Sequence, residues 1–360
     1  MTTVVIGGGP AGSAASIHLA RAGRRVTVLE RESGPVHKVC GDFLSAEALR
    51  SLRACGVDPA RLGAAPIDRV RLVSGRREAV AALPFAACGL TRRTLDAALL
   101  DAARDAGVDV RAGTHVRVLD DIEVADVLVA TGKHALRGVA RVGRPGPLVG
   151  FKTYLRLRAP QTEALRGNVE LVLYAGGYAG LQLVEDDTAT LCLLAKRSRL
   201  QSCGGFDGLI ESLRWVSPHL DRRLDDAVPL LARPLAISGL AYGHVHAPRP
   251  DERFWRLGDQ AAVIPSLTGD GVSIALHSGT LAARVLAAGG DARAYHTALR
   301  RTVRGQVARA HAMQRFLGTA IGRLSAVAAC RAAPIVLRAS ARATRIDPAA
   351  ERRLHAGQAF

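Results

Sequence analysis

This chain of 360 residues contains few lysines, few aromatic residues and no paired cysteine motif. Its six cysteines form no C-x-x-C pair and do not cluster with histidine, so neither a zinc site nor a disulfide framework is predicted. The most apolar late segment, residues 316–337, is interrupted by Arg323, Arg331 and Pro334, so it is not a spanning helix. The first predicted strand is not preceded by a basic segment followed by an apolar segment, which is the pattern of a secretory signal. We therefore expect a cytoplasmic protein without a secretory signal or transmembrane segment.

The charge of the chain is strongly positive, with a formal net charge of +17 at pH 7. Such an excess is compatible with nucleic acid, an anionic membrane or an acidic partner protein. Only Lys38, Lys133, Lys152 and Lys196 are lysines, so the excess is almost all arginine in a chain rich in alanine and glycine. That pattern also fits a genome-wide bias in composition, and we expect no nucleic-acid partner. The length and the 48% hydrophobic content exclude disorder and predict one large domain or two interleaved ones.

The N-terminus carries the pattern of a dinucleotide-binding unit. A β-branched run at Thr3–Ile6 precedes GGGPAG, which places Gly7, Gly9 and Gly12 in G-x-G-x-x-G spacing, and Ser13–Ala22 is predicted to be helical. The first glycine permits a tight turn, the second lets the backbone approach a pyrophosphate, and the third allows the helix to pack on the strand. The N-terminus of that helix offers free N–H groups to phosphate oxygens.

An acidic residue follows at the expected distance. A second strand, Arg25–Leu29, ends at Glu30, which lies 18 residues after Gly12, and Arg31 comes next. A carboxylate at that point accepts hydrogen bonds from a ribose. The combination of strand, turn, helix and acid therefore predicts dinucleotide binding.

Four further segments carry a family resemblance. Phe254–Gly279 reads FWRLGDQAAVIPSLTGDGVSIALHSG, Arg92–Gly107 contains R-x-x-L-D, Ala125–Gly132 reads ADVLVATG, and Lys38–Ser45 reads KVCGDFLS. Together they resemble the flavoprotein superfamily that contains group A monooxygenases, geranylgeranyl reductases and flavin-dependent halogenases. The last segment is similar to the K-x-C-G-x-x-L-S segment of geranylgeranyl reductases.

The resemblance implies an α/β fold. It implies a Rossmann-like FAD-binding domain of the glutathione-reductase type, similar to p-hydroxybenzoate hydroxylase, with an inserted antiparallel β-sheet substrate domain and C-terminal helices. Strand patterns at Ile67–Val73, Phe151–Arg158, Val169–Tyr174, Leu181–Val184 and Thr188–Leu194 agree with the insertion. The predicted division is a discontinuous FAD-binding domain (1–65, 90–145 and 250–310), a substrate sheet domain (66–89 and 146–249) and a C-terminal helical region (311–360).

The resemblance also implies FAD as the cofactor and names the residues that would hold it. Arg92 would lie along the ribityl or phosphate region, Asp259 would bond the ribityl chain, and the helix that begins near Gly269–Gly271 would direct its N–H groups at the N1/C2=O edge of the flavin. Thr268 would shape the wall beside the isoalloxazine. The full cofactor-binding set is Gly7, Gly9, Pro10, Ala11, Gly12, Glu30, Arg31, Cys40, Arg92, Thr131, Gly132, Asp259, Pro265, Gly269, Gly271 and Val272.

The same superfamily serves several reactions. The favoured prediction is a monooxygenase that uses NADH or NADPH and O2 to hydroxylate a lipophilic or aromatic secondary metabolite, free or carrier-bound, through a flavin C4a-hydroperoxide. One alternative is a C=C reductase of the geranylgeranyl-reductase type, and another is an FAD-binding scaffold without turnover. Candidate catalytic residues are Cys40, Tyr178 and Gln182. No metal site is predicted.

Three departures from the family narrow the choice. Aromatic hydroxylases have a D-G pair after the third FAD strand, where this chain has Ala130–His134, so their usual site for the reductant is in doubt. The connection from Val116 to Val127 is short for a β-meander. Trp215 and Trp255 do not form the W-x-W-x-I-P segment of halogenases, which disfavours halogenation. With 4% aromatic residues, we expect a largely aliphatic cavity.

Two features remain open at this point. Scattered histidines, His134, His244 and His246, are candidate proton relays or ordinary surface and core residues. A basic amphipathic helix is predicted in the C-terminal part, and its arginine face either touches anionic lipid or an acidic carrier protein or is simply solvated. Its apolar positions are Leu299, Val303, Val307 and Phe316, and its arginines are Arg300, Arg301, Arg304 and Arg309.

Overall fold

The computed structural model describes residues 2–119, 126–134, 136, 137, 139 and 146–356. A five-stranded parallel sheet has the strand order β14-β7-β1-β2-β6. Its strands are short and mostly buried, as expected for a parallel sheet covered on its faces. They are β1 (Thr2–Ile6), β2 (Arg25–Leu29), β6 (Asp109–Arg111), β7 (Asp126–Val129) and β14 (Trp255–Arg256).

Helices pack on this parallel sheet through small residues. Helix α1 (Pro10–Arg21) lies against α8 (Gly271–Ala287), where a Cβ on Gly279 would come within 2.2 Å of the Ala11 carbonyl oxygen. Helices α2 (Ala46–Ala54) and α3 (Arg92–Asp105) begin at Ser45 and Thr91, whose hydroxyls cap them by accepting backbone N–H bonds. The predicted strands Thr3–Ile6 and Arg25–Leu29 and the first helix are confirmed.

A second, larger sheet has the order β12-β8-β11-β10-β9-β4-β5-β3, with β13 paired to β8. It is mixed rather than wholly antiparallel as predicted, because β4 and β9 run parallel. Residues 75–166 lie between these two strands and pass through the parallel sheet, and such a long crossover permits a parallel pair. The strands are β3 (Phe43–Leu44), β4 (Ala65–Ser74), β5 (Arg77–Gly89), β8 (Leu148–Arg156), β9 (Gly167–Tyr174), β10 (Gly177–Leu183), β11 (Ala189–Lys196), β12 (Val228–Pro229) and β13 (Leu235–Ile237).

Helices cover the second sheet on both faces. One face packs against α4 (Ala159–Leu165), α5 (Arg197–Ser202), α6 (Phe206–Val216) and α7 (Pro218–Arg223) around a leucine-rich core. The long α9 (Ala292–Leu317) leads into α10 (Ala320–Ala332) and α11 (Pro334–Ala343), and these two pack on β5. Helix α12 (Pro348–His355) returns to α8. The predicted domain boundaries stay a prediction, and Ala125 and most of the connection before β7 lie outside the described residues.

Candidate functional site

A cavity of about 840 Å³ lies between the two sheets. Its cofactor half is lined by the turn after β1, the end of β2, the segment Val36–Phe43, the start of α3 and the loops after β7 and β14. Its sheet half is lined by β4 and β8–β11, and its helix wall by α9, α10 and α11. One space therefore joins the dinucleotide turn to an aliphatic chamber.

The glycine turn is held in a shape that only glycine permits. Gly7 has φ +105° and a Cβ there would lie 2.5 Å from the Ala130 carbonyl oxygen. A Cβ on Gly12 would lie 1.9 Å from the Gly7 carbonyl oxygen, so Gly12 serves helix packing. Gly9 is the N-cap of α1 and offers no side-chain cap, and a Cβ there would approach only the Arg92 Nη2, at 3.3 Å. The first N–H groups of α1 thus face open space that suits a pyrophosphate.

Glu30 is fixed at the end of β2 by the backbone around it. Its Oε2 accepts a hydrogen bond from the Gly8 N–H at 2.6 Å, and its Oε1 accepts one from the Glu32 N–H at 3.1 Å. The side chain lines the cavity and is almost fully buried. A carboxylate so placed can accept the hydroxyls of a ribose. The neighbouring Arg31 also lines the cavity, although its guanidinium is paired with Glu32.

Arg92 is oriented by a buried carboxylate. Asp96 accepts two hydrogen bonds from Arg92, at 2.8 Å and 2.9 Å, and one from Lys38 Nζ at 2.9 Å. Burial alone would raise the pKa of Asp96, but the two adjacent cations hold it below its usual value. The guanidinium consequently lies beside Gly9, where it can meet a phosphate or ribityl oxygen. The role of Asp96 was not predicted, although it is the last residue of the R-x-x-L-D motif.

A buried ion pair between Lys152 and Asp42 stabilises the segment Lys38–Asp42. Lys152 Nζ lies 2.5 Å from Asp42 Oδ2 and 3.2 Å from the Lys38 carbonyl oxygen, and the Tyr154 hydroxyl donates to the same Asp42 oxygen at 2.9 Å. Burial raises the pKa of Asp42, and Lys152 opposes that rise. This network fixes the backbone at Cys40, which lines the cavity.

A second buried ion pair lies at the start of α8. Asp270 is fully buried and contacts Arg345, Ser273 and Gln306, and Arg345 Nη2 also donates to the Thr268 carbonyl oxygen at 2.7 Å. Burial raises the pKa of Asp270 to about 6. Because the Asp270 side chain is engaged there, it does not cap α8, and the first N–H groups of the helix remain available. A Cβ on Gly271 would meet nothing within 4 Å, so this end is open for a flavin edge.

The side-chain amide of Gln260 joins the loops that follow β7 and β14. Gln260 Nε2 donates to Thr131 Oγ1 at 2.9 Å, to the Gly132 carbonyl oxygen at 2.7 Å and to the His134 carbonyl oxygen at 2.9 Å. Asp259 precedes it and lines the cavity with these loop residues. Gln260 therefore fixes the position of the predicted cofactor residues Thr131, Gly132 and Asp259 relative to one another.

The sheet half carries a chain of three hydroxyl groups. The Tyr178 hydroxyl donates to Ser266 Oγ at 2.6 Å, and the Tyr242 hydroxyl lies 2.8 Å from the same oxygen. Burial raises the pKa of Tyr178 well above its usual value, so the phenol stays protonated. Nearby, the buried Gln182 Nε2 has no hydrogen-bond partner among the described residues, and Cys192 Sγ donates to the Cys40 carbonyl oxygen at 3.0 Å. These groups supply the polarity of an otherwise aliphatic wall.

Most of the sequence-predicted residues line this one cavity, including Cys40, Tyr178 and Gln182. Gly12 and Pro265 do not line it: the first packs against Gly7, and the Pro265 carbonyl accepts the Thr268 hydroxyl at 3.1 Å. The remaining predicted residues that line it are Gly7, Gly9, Pro10, Ala11, Glu30, Arg31, Arg92, Thr131, Gly132, Asp259, Gly269, Gly271 and Val272. Whether they bind the cofactor stays a prediction.

Of the three histidines proposed as relays, only His134 lines the cavity. His246 lies elsewhere and pairs with Glu252 at 2.6 Å, close to His296. His244 is also outside the lining, and its backbone is paired with Ala241 and Val263. A sequence does not reveal which histidines a long loop carries away from a cavity.

Comparisons with known proteins agree with this geometry. Residues 1–135 match the FAD binding domain family. The menaquinone reductase of Mycolicibacterium smegmatis is 26% identical over 332 residues, covering 80% of this chain and 76% of that protein. The flavin-dependent brominase Bmp2 has a similar fold, with a TM-score of 0.78 at 18% identity over 99% of this chain and 98% of that one. PqsL of Pseudomonas aeruginosa, solved with 2-aminobenzoylacetate, has a TM-score of 0.72 at 17% identity, over 91% of this chain and 99% of that one.

Proposed function

We propose that this FAD-dependent oxidoreductase, whose residues 1–135 match the FAD binding domain family, reduces a carbon–carbon double bond of a lipophilic, prenyl- or quinone-like substrate. Bound FAD would supply hydride transfer to the substrate, with NADH or NADPH as the proposed reductant. The residues of the chain position the two molecules, exclude water and supply a proton.

The cofactor half of the cavity suits FAD by its donor set. The free N–H groups at the start of α1 and the Arg92 guanidinium suit a pyrophosphate, and Glu30 suits a ribose. The open N-terminus of α8 suits the flavin edge on which negative charge accumulates during reduction. The proposed site is therefore complementary to FAD from its adenosine end to its flavin end.

The sheet half suits a neutral, apolar substrate. The residues that β4 and β8–β11 contribute to the lining include Val70, Leu72, Val169, Leu171 and Leu194, and none of them is Asp, Glu, Lys or Arg. An ionised substrate would lose its hydration there without gaining a partner, which is costly. An isoprenoid or alkyl chain would instead gain free energy by burial.

The observation that carries the proposal is the hydroxyl chain from Tyr178 through Ser266 to Tyr242. Reduction of a double bond needs a hydride on one carbon and a proton on the other. The buried Tyr178 faces the cavity as a protonated phenol, while Tyr242 is half-buried and can be reprotonated from outside. Cys40, which also lines the cavity, is a second candidate donor. The similarity to menaquinone reductase and the KVCGDFLS segment also favour reduction.

Hydroxylation is the second candidate. The fold neighbours include a brominase and a monooxygenase, and a dry aliphatic chamber would protect an activated oxygen species from water. Under this alternative, the hydroxyl chain and Gln182 would orient an aromatic or polyketide substrate, and O2 would be a second substrate. The absence of the D-G pair from residues 130–134 weighs against it.

Product analysis separates the candidates. The photoreduced holoenzyme would be mixed, without oxygen, with a short-chain prenylated naphthoquinone, and the return of oxidised flavin absorbance would be followed together with the product mass. After any quinol has been reoxidised in air to the quinone, a product that still carries two extra hydrogens in its prenyl chain supports reduction of the double bond. The reaction would be repeated in the presence of isotope-labelled O2. A product that forms only in that reaction and carries the label supports hydroxylation and overturns the first proposal. A holoenzyme that oxidises NADH or NADPH no faster with any substrate would overturn both in favour of an FAD-binding scaffold.

A tyrosine pair tests the proton donor. Replacing Tyr178 with phenylalanine should slow substrate-linked flavin reoxidation about 100-fold while the FAD content stays unchanged. Tyr174→Phe is the matched control, because this tyrosine is also buried in the second sheet but donates to the Leu194 carbonyl oxygen, away from the cavity. Equal rates in the two variants would remove Tyr178 from the mechanism.

A further inference from the structure

We propose that α10 and α11 form a membrane-docking surface at the mouth of the cavity, through which a lipid-dissolved substrate reaches the flavin from an anionic bilayer. The lipid nature of the substrate rests on the proposed function, but the surface itself does not. We call this feature the docking surface and define it by Phe316, Ile321, Leu324, Ile335 and Val336.

Large apolar side chains are exposed on this helix pair. Ile321 is 78% exposed, Ile335 61% and Phe316 50%, with Leu324 and Val336 also exposed. Exposed apolar residues concentrated on consecutive elements mark an interaction surface rather than ordinary scatter. The opposite faces are packed, since Gly322, Val327 and Cys330 are buried against the protein.

The helices that carry this surface contain charge of one sign. Residues 292–346 contain eleven arginines and no Asp, Glu or Lys, and Arg315, Arg331 and Arg342 are exposed. A basic helix with exposed apolar residues is the pattern of a helix that lies in the interface of an anionic membrane. Two such faces would repel each other across a twofold axis, so a second copy of the chain is a poorer occupant.

The helix pair would lie on a membrane rather than cross it. Among the described residues, no single helix is long and apolar enough to span a bilayer. Helices α10 and α11 reach that length and apolarity only together, and they meet at a bend of 116°. With one side packed on β5, the pair can immerse only its outer side chains.

The docking surface and the cavity share residues. Phe316 and Val336 line the cavity and are also exposed to solvent, so the cavity opens between the end of α9 and the start of α11. Leu317 and Leu337 continue the apolar lining inward from this mouth. A substrate dissolved in the bilayer could pass from the membrane to the sheet half without crossing water.

Vesicle flotation with the holoenzyme tests the surface without turnover. Binding should be strong to vesicles of phosphatidylglycerol and phosphatidylcholine, weaker to pure phosphatidylcholine, and reduced by salt. The double variant Ile321→Glu/Ile335→Glu should lose at least about tenfold in binding, because it buries less apolar area and adds negative charge. Val228→Glu, at a 52% exposed valine on β12, is the matched control and should bind normally.

The arginines are tested separately. Arg315→Glu/Arg342→Glu should lose about fivefold or more in vesicle binding per residue, and Arg222→Glu, on α7, should lose little. Failure of the wild type to float with anionic vesicles would overturn the proposal. So would binding to an acidic carrier protein that the Ile321→Glu/Ile335→Glu variant loses, or a dimer that this variant dissociates, without vesicle binding.

An activity measurement distinguishes the two proposals. Reduction of a prenyl double bond in a prenylated quinone embedded in vesicles should slow in Ile321→Glu/Ile335→Glu by about the same factor as binding, whereas reduction of that bond in a water-soluble short-chain analogue should not change. Neither isoleucine lines the cavity. If the soluble analogue is not reduced by the wild type, the proposed function fails while the flotation result still stands on its own.

Discussion

Removal of Lys152 tests how much the stability of the protein depends on the buried ion pair between Lys152 and Asp42. Lys152→Met leaves the fully buried Asp42 carboxylate with only the Tyr154 hydroxyl and the Arg92 N–H, the latter at 3.3 Å. Breaking a buried pair by removing one partner costs about 3–5 kcal/mol. Asp42→Asn should cost a similar amount, because it strands the Lys152 ammonium. The double variant removes both charges and should cost about 2 kcal/mol or less.

The two single variants should respond differently to pH. In Lys152→Met, burial raises the pKa of Asp42 against only the Tyr154 hydrogen bond and the charge of Arg92, so the native state takes up a proton more readily than the unfolded chain. Stability should therefore rise as the pH falls below neutral. In Asp42→Asn that carboxyl is absent, so this rise of stability at low pH should be lost.

Urea unfolding followed by circular dichroism, at about pH 6 and about pH 9, measures the free energy of unfolding of each variant and its change with pH. Lys196→Met is the control, because this lysine is exposed at the end of β11, and it should change stability by less than about 0.5 kcal/mol. A Lys152→Met cost below about 1 kcal/mol, or the same pH slope in both single variants, would refute the reasoning. Because the pair supports the backbone at Cys40, we also expect Lys152→Met to weaken FAD binding.

Three further predictions concern the cofactor half. Asp259→Ala should purify with little FAD, measured as flavin absorbance per protein, whereas the exposed Asp101→Ala should retain it; full FAD in the first variant would contradict the assignment. Gly12→Ala should destabilise the protein by about 1–3 kcal/mol in urea, because its Cβ would lie 1.9 Å from the Gly7 carbonyl oxygen. Asp270, with a pKa of about 6 against the usual 3.8, should add up to about 3 kcal/mol of stability as the pH falls from above 6 to below 4. Asp270→Asn should remove this pH dependence of stability. An unchanged pH profile in that variant would contradict its assignment to Asp270.

The sequence was most informative where a local pattern determines the structure. The glycine turn, Glu30 and the first two strands depend on short-range backbone geometry, which residue spacing encodes directly. The long strand β5 was missed, because its alanines, its Pro84 and its glycine give a weak strand signal. The parallel pairing of β4 with β9 was missed as well, since no local pattern reports which strands meet across a long crossover.

The supporting residues of the site were hidden for a related reason. Lys152 and Arg345 act through partners 110 and 75 positions away, Asp42 and Asp270, and no spacing rule connects them. One signal was available for Lys152: it is one of four lysines and lies within an apolar strand, where a buried cation needs a partner. Arg345 carried no such signal among so many arginines.

The placement of charge around the cavity indicates how the molecule divides its tasks. Three of the buried ion pairs, Arg92 with Asp96, Lys152 with Asp42 and Arg345 with Asp270, lie around the cofactor half, and the residues that the second sheet contributes to the cavity carry no charge. Ion pairs fix geometry at the cofactor, where charge changes during the reaction. An uncharged wall with few hydrogen-bonding groups selects its substrate mainly by shape and apolar area, and such a wall discriminates weakly between chains that differ by one methylene. We therefore expect the substrate preference to depend on chain length in gradual steps, and access through the docking surface to matter as much as fit.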